Sequence, residues 1–194
     1  MNYTLWKTNL LIEENFFANN IHRQFVEYDS LQSTTVKGMD SEEFAKQFSS
    51  ELNLIEAVMF NYAIDMGIDP SNVELSNIQF GKLTKYNKDH VGSHLYEPHH
   101  DMVEQSIISA IYYIDSDYSD DGAWVGGELC LYNELTFASY PTNSVNILPK
   151  SNRLVMFPGF LTHRVKPYFG ERPRRTIVFG WKVKNQPCHA PTVI

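Results

Sequence analysis

Two periodicities divide the chain. Phe44, Phe48, Leu52, Ile55, Met59, Tyr62 and Met66 recur at steps of three or four, the spacing that lines side chains along one face of an α-helix. Asp40 stands ahead of them as an N-cap, and Glu43 three residues later completes a capping box. Gly67 and Pro70 mark the end of this helix. Phe17, Ile21 and Phe25 repeat at four-residue spacing and predict a shorter helix over 14–28, with a polar Ser- and Thr-rich loop over 29–39. From about residue 75 the period drops to two. Ile78, Phe80, Lys82, Thr84 and Tyr86 alternate with the intervening set. Strand-like runs follow over 104–114, 127–133, 144–148, 153–158, 163–168 and 174–184, punctuated by Gly and Pro.

Helices first and many short strands afterwards predict an α+β chain that is mostly β: an antiparallel sandwich or open barrel with the helices packed on one sheet. No internal repeat or linker interrupts the pattern. One domain over 1–194 is expected, with 1–75 as mainly helical support and 76–184 as the β core.

Of 194 residues, 43% are hydrophobic and 20% charged, a globular balance with enough length to bury a core without disulfides. Cys130 and Cys188 lie far apart and form no CxxC pair, so neither a zinc knot nor a disulfide framework is expected. The longest apolar run, around Ile107–Ile114, is interrupted by Ser109 and falls short of the about 18 residues of a membrane span. The first residues lack a basic stretch and meet Glu13 and Glu14 early; no secretory signal and a cytoplasmic location are the expectation.

A net charge of −7 argues against nucleic acid as the main partner. The charge is uneven, however. Between Lys150 and Lys184 nine basic residues stand against one acid, Glu171, a surplus of +8 that leaves −15 on the rest. Such a run is either a solvated strand face or a site that attracts an anion. The acidic stretch 115–122 places Asp120 where a calcium-binding EF-hand loop needs glycine, so a hairpin loop is the reading there.

His99 and Asp101 sit two apart after a strand-like run, a spacing that turns an imidazole and a carboxylate to one side of an extended backbone. His100 would point away. His163, 62 residues beyond Asp101, opens another short strand. Two imidazoles and one carboxylate make the facial triad of non-haem Fe(II) enzymes, which leaves three coordination positions open; zinc could use the same ligands. Farther on, Arg175, Ile177, Phe179 and Trp181 share a strand face that reads as an interior. A guanidinium among such neighbours needs an anionic partner, either an internal carboxylate or a bound one. Arg174 points to the opposite face, and Arg172 sits in the turn with Pro173.

The order of these pieces resembles the Fe(II)/2-oxoglutarate-dependent oxygenases, and among them the prolyl 4-hydroxylase branch. The similarity runs from about Thr84 to Lys184 and rests on YEPHHD (96–101), AIYYID (110–115), GGELCLYN (126–133), ILPKSNRLVMFPG, HRVKP and RTIVFGW. It implies a double-stranded β-helix, or jelly roll, with supporting N-terminal helices. It also implies His99, Asp101 and His163 as iron ligands, Arg175 as the clamp on the far carboxylate of 2-oxoglutarate, and Tyr113 and Tyr86 in the same pocket. Extra length around Glu171–Arg174 keeps Arg172 as an alternative clamp. The implied cofactors are Fe(II), 2-oxoglutarate and O2, with ascorbate as candidate reductant. The implied reaction is hydroxylation of prolyl residues in a peptide or protein, with release of succinate and CO2. The alternatives are the same chemistry on a free amino acid or other small molecule, and, from another class, a non-catalytic β-sandwich module that merely holds a metal. The polar loop 87–95 is a candidate substrate lid.

Overall fold

The structure is a computed structural model that describes residues 9–19, 21–24, 46–83, 100–101, 106–116, 118, 125–132 and 144–184. In chain order the elements are β1 (Leu11–Glu13), α1 (Ser49–Asp65), a 3-10 turn (Pro70–Asn72), β2 (Val73–Leu83), β3 (Ile108–Asp115), β4 (Leu129–Tyr132), β5 (Ser144–Ile147), β6 (Arg153–Pro158), β7 (His163–Val165) and β8 (Arg174–Val183). All strand pairs are antiparallel. A major sheet has the order β1-β6-β3-β8-β2, and a minor sheet the order β5-β4-β7. Two facing sheets of this kind form a jelly roll.

The major sheet is buried on both faces, and this organises everything else. On one side Ile108, Ala110, Tyr112 and Ile114 of β3, Leu154 and Met156 of β6, and Ile177, Phe179 and Trp181 of β8 pack with Leu52, Ile55 and Met59 of α1. On the other side Ile111 and Tyr113 of β3 and Val155 and Phe157 of β6 meet Leu129, Leu131 and Ile147 of the minor sheet. Strands buried on both faces read as continuous apolar runs, as β3 (ISAIYYID) does. The small polar residues in them then mark where one side is not filled by core.

α1 buries Leu52, Ile55, Met59 and Tyr62 in the predicted register. It stops where Gly67 takes φ 76°, and Ile68 N–H returns to the Ala63 carbonyl at 2.8 Å. Its first residue follows Phe48, whose side chain gives no cap; Asp40 and Glu43 lie outside the described residues.

The first predicted helix is corrected. Leu11–Glu13 pair with β6, and helix begins only beyond Phe17, with residues 21–24 helical. Asn152 decides this. From a left-handed turn (φ 59°) its Oδ1 accepts the Phe17 N–H at 2.9 Å, and its Nδ2 donates to the Phe17 carbonyl at 2.7 Å. That pins Phe17 in a non-helical conformation against Tyr112. No helix among the described residues is long and apolar enough to cross a membrane.

Candidate active site

One end of the space between the sheets opens into a cavity of about 470 Å³. Its wall along β8 is Arg174, Thr176, Val178 and Gly180, and along β2 their cross-strand partners Leu83, Gly81, Gln79 and Asn77. Ser109 and Ile111 of β3, Leu129, Phe157, His163 and Asp101 close it. The wall runs from buried Leu83 and Arg174 to exposed Gln79. The first pair forms the floor, and Gln79 stands toward solvent. Gly81 leaves no room for a side chain, since a Cβ there would lie 2.6 Å from Thr176 Oγ1.

Asp101 and His163 are brought together in this cavity. Asp101 lies outside any strand, contrary to the extended conformation expected for it. Its N–H donates to the Gly159 carbonyl at 2.8 Å, and its carbonyl accepts from Ser106 N–H at 3.1 Å. Its Oδ1 stands 3.6 Å from His163 Nε2. His163 opens β7, packs edge-on against the Phe157 ring at 5.0 Å, and makes a 2.9 Å hydrogen bond from Nδ1 to the Leu161 carbonyl. A carbonyl only accepts, so Nδ1 donates this bond, which leaves Nε2 as the ring nitrogen turned to Asp101. Ser109 Oγ donates to Asp101 Oδ2. His99 and Tyr86 lie outside the described residues. His100, expected to point away, is exposed and borders the cavity. Among the described residues no set of three metal-ligating side chains converges.

The guanidinium in the cavity belongs to Arg174 rather than to Arg175. Arg174 is 3% exposed, and its Nε and Nη2 are buried with no hydrogen-bond partner among the described residues. It lies over the Tyr113 ring, 5.0 Å from the centroid. Tyr113 is fully buried beside it, with a hydroxyl that likewise finds no partner among the described residues. Burial pushes that hydroxyl well up, and the Arg174 charge pulls it partly back. Arg175 instead pairs with Asp115, Nη2 to Oδ2 at 3.1 Å. Arg172 is exposed and reaches Asp115 and the Ser116 carbonyl.

The physical reason for this placement is the double burial of the sheet. The apolar face of β8 is an interior, but the one that packs on α1. The cavity takes the other face, whose small and polar members (Thr176, Gly180) are what a ligand site needs. That contrast was the available signal for Arg174. The double glycine before β4 makes the space: Gly127 has φ 75°, and a Cβ on it would lie 2.9 Å from Arg174 Cδ.

The donor set fits a divalent metal: one carboxylate oxygen and one imidazole nitrogen meet at the wall of an open cavity. The floor fits a carboxylate, since the buried Arg174 guanidinium lines it and has two N–H groups without a hydrogen-bond partner among the described residues. A jelly roll with a carboxylate–imidazole pair at the wall of its cavity and a cationic floor has the parts of a metal-dependent enzyme that takes an anionic cosubstrate.

The sequence matches the model of the 2OG-Fe(II) oxygenase superfamily over residues 81–182, and the chain belongs to that family. Fe(II), 2-oxoglutarate and O2 are accordingly its cofactor and cosubstrates. Comparison with curated proteins gave no match. Among solved structures, a Pseudomonas putida prolyl-4-hydroxylase is similar at 15% identity and TM-score 0.56, covering 91% of this chain and 89% of that one. HygX from Streptomyces hygroscopicus, with nickel and 2-oxoglutarate bound, is similar at 12% identity and TM-score 0.63, covering 92% and 84%. A Trichoplax adhaerens prolyl hydroxylase in complex with a hypoxia inducible factor peptide fragment is similar at 18% identity and TM-score 0.56, covering 90% and 83%.

Proposed function

We propose that the chain hydroxylates a prolyl residue in a peptide or protein, consuming 2-oxoglutarate and O2 and releasing succinate and CO2. The observation that carries the cosubstrate half is the buried edge of Arg174, whose Nε and Nη2 have no hydrogen-bond partner among the described residues, at the floor of a cavity walled by Asp101 and His163. The prolyl half rests on likeness to prolyl hydroxylases, one of them seen with a peptide.

In this reading Asp101 and His163 hold the metal together with His99. When bound, Fe(II) would activate O2, the oxidant of the reaction, and so couple 2-oxoglutarate decarboxylation to transfer of one oxygen atom to the acceptor. The protein's work is geometric. Arg174 offers Nε–H and Nη2–H to the far carboxylate of 2-oxoglutarate, with the Tyr113 hydroxyl at hand and Tyr86 as a further lining residue. Ile111, Leu129, Phe157 and Val178 exclude water between floor and metal. Asn77 and Gln79 face the acceptor at the open end.

The test is incubation of Fe(II)-loaded protein with 2-oxoglutarate, ascorbate and a pool of proline-containing peptides, read by succinate release and peptide mass. Peptides that gain one oxygen atom on proline support the proposal. Succinate formed only with free amino acids or other small molecules moves the acceptor to that class. No succinate with any acceptor overturns the prolyl assignment.

A further inference from the structure

The two carboxylate oxygens of Asp101 are held differently. Oδ2 accepts a hydrogen bond from Ser109 Oγ, while Oδ1 faces Nε2 of His163 at 3.6 Å. Ser109 is 1% exposed, on the cavity face of β3. Its backbone is fixed from both sides, paired with Phe157 of β6 and Gly180 of β8. The hydroxyl is therefore confined to the positions that rotation about its own χ1 allows. The main chain of Asp101 is tied down as well, to Gly159 and Ser106.

We infer that Ser109 is a positioning residue that makes Asp101 a one-oxygen ligand: with Oδ2 engaged, only Oδ1 is offered to the metal. This rests on the proposed reading of Asp101 and His163 as metal-holding residues. The consequence is a count of coordination positions. With His99 as the proposed third ligand, three protein ligands would leave three positions for the cosubstrates. A carboxylate chelating through both oxygens would take one of them. Serine supplies the restraint without adding a charge or a ligand of its own, and the second atom of a metal-bound carboxylate is commonly held in this way.

The experiment is anaerobic Co(II) titration of the metal-free protein, followed by 2-oxoglutarate titration of the Co(II)-loaded form, both read by visible absorption. Wild type, Ser109→Ala, Ser109→Thr and Asp101→Ala are compared, with a thermal melt of each metal-free protein. Ser109→Ala is expected to bind Co(II) about tenfold to 100-fold more weakly and to bind 2-oxoglutarate more weakly once loaded. Its Co(II) spectrum should change shape, and its metal-free melting temperature should stay close to wild type. Ser109→Thr, which keeps the hydroxyl, should restore both affinities. Wild-type affinities and spectrum in Ser109→Ala overturn the inference, as does a folded Ser109→Thr that behaves like the alanine variant. If Ser109→Thr does not fold, the alanine comparison decides alone. Wild-type Co(II) binding by Asp101→Ala, or none by wild type, removes the proposed metal site and the role of Ser109 with it.

Discussion

Replacing Arg174 by Met separates two quantities that usually fall together. The side chain is 3% exposed, and its Nε and Nη2 have no partner among the described residues. In the ligand-free protein each such buried N–H costs about 1–3 kcal/mol. The guanidinium recovers part of this over the Tyr113 ring, where a cation–π contact is worth about 0.5–2 kcal/mol. Methionine fills much of the same volume without donors, so the variant should be as stable as the ligand-free wild type or more so. Binding of 2-oxoglutarate goes the other way. Two charge-assisted hydrogen bonds at about 1.5–3 kcal/mol each amount to a loss of roughly 3–6 kcal/mol. At 1.4 kcal/mol per decade, affinity should fall on the order of 10²- to 10⁴-fold. The assay is a urea denaturation of the metal-free protein beside an anaerobic 2-oxoglutarate titration of the Co(II)-loaded protein. Arg175→Met supplies the control. It leaves Asp115 to Arg172, should lower stability by about 1–3 kcal/mol, and should leave 2-oxoglutarate binding unchanged. Wild-type 2-oxoglutarate affinity in Arg174→Met, or its loss in Arg175→Met, would refute the reasoning from strand faces.

Asp101→Ala removes the carboxylate facing His163; turnover should fall to background, and retained succinate formation would show that another group holds the iron. Gly127→Ala puts a Cβ 2.8 Å from Tyr168 and 2.9 Å from Arg174 at φ 75°. It should cost about 1–3 kcal/mol of stability and raise the KM for 2-oxoglutarate, both readable on one purified variant. His22 accepts or donates a 2.7 Å hydrogen bond with the Tyr112 hydroxyl, and burial holds its imidazole below the usual range. The unfolded chain then takes up this proton at a higher pH than the folded one. Its contribution to stability is full above the usual imidazole range and is lost as pH falls through it toward the lowered folded value. Urea midpoints measured from about pH 7.5 down to about pH 5.5 should therefore fall more steeply for wild type than for His22→Gln.

The long elements were legible from the chain because each obeys one period over many residues. The face of α1 from Leu52 to Tyr62 is buried as read, and β2 to β8 fall within or close to the predicted strand runs. β1 was not legible, since three residues are too few to show an alternation and only their pairing with β6 makes them a strand. Parity put Tyr113 on the face of β3 that carries Ser109 and Ile111, and it packs there with Ile111 against the minor sheet. The same parity argument, applied to β8, correctly set Arg174 and Arg175 on opposite faces but could not say which face is the cavity.

What the sequence alone determined is the set of local quantities: helix and strand periods, the glycines that permit tight approach, and the residue types able to hold a metal and an anion. Only the tertiary structure decided which of two hydrophobic interiors each strand face meets. A sheet buried on both sides leaves only small or polar residues such as Thr176 and Gly180 to hint at its orientation, so the choice between Arg174 and Arg175 was made when α1 covered Ile177, Phe179 and Trp181 and left Thr176, Val178 and Gly180 to line the cavity.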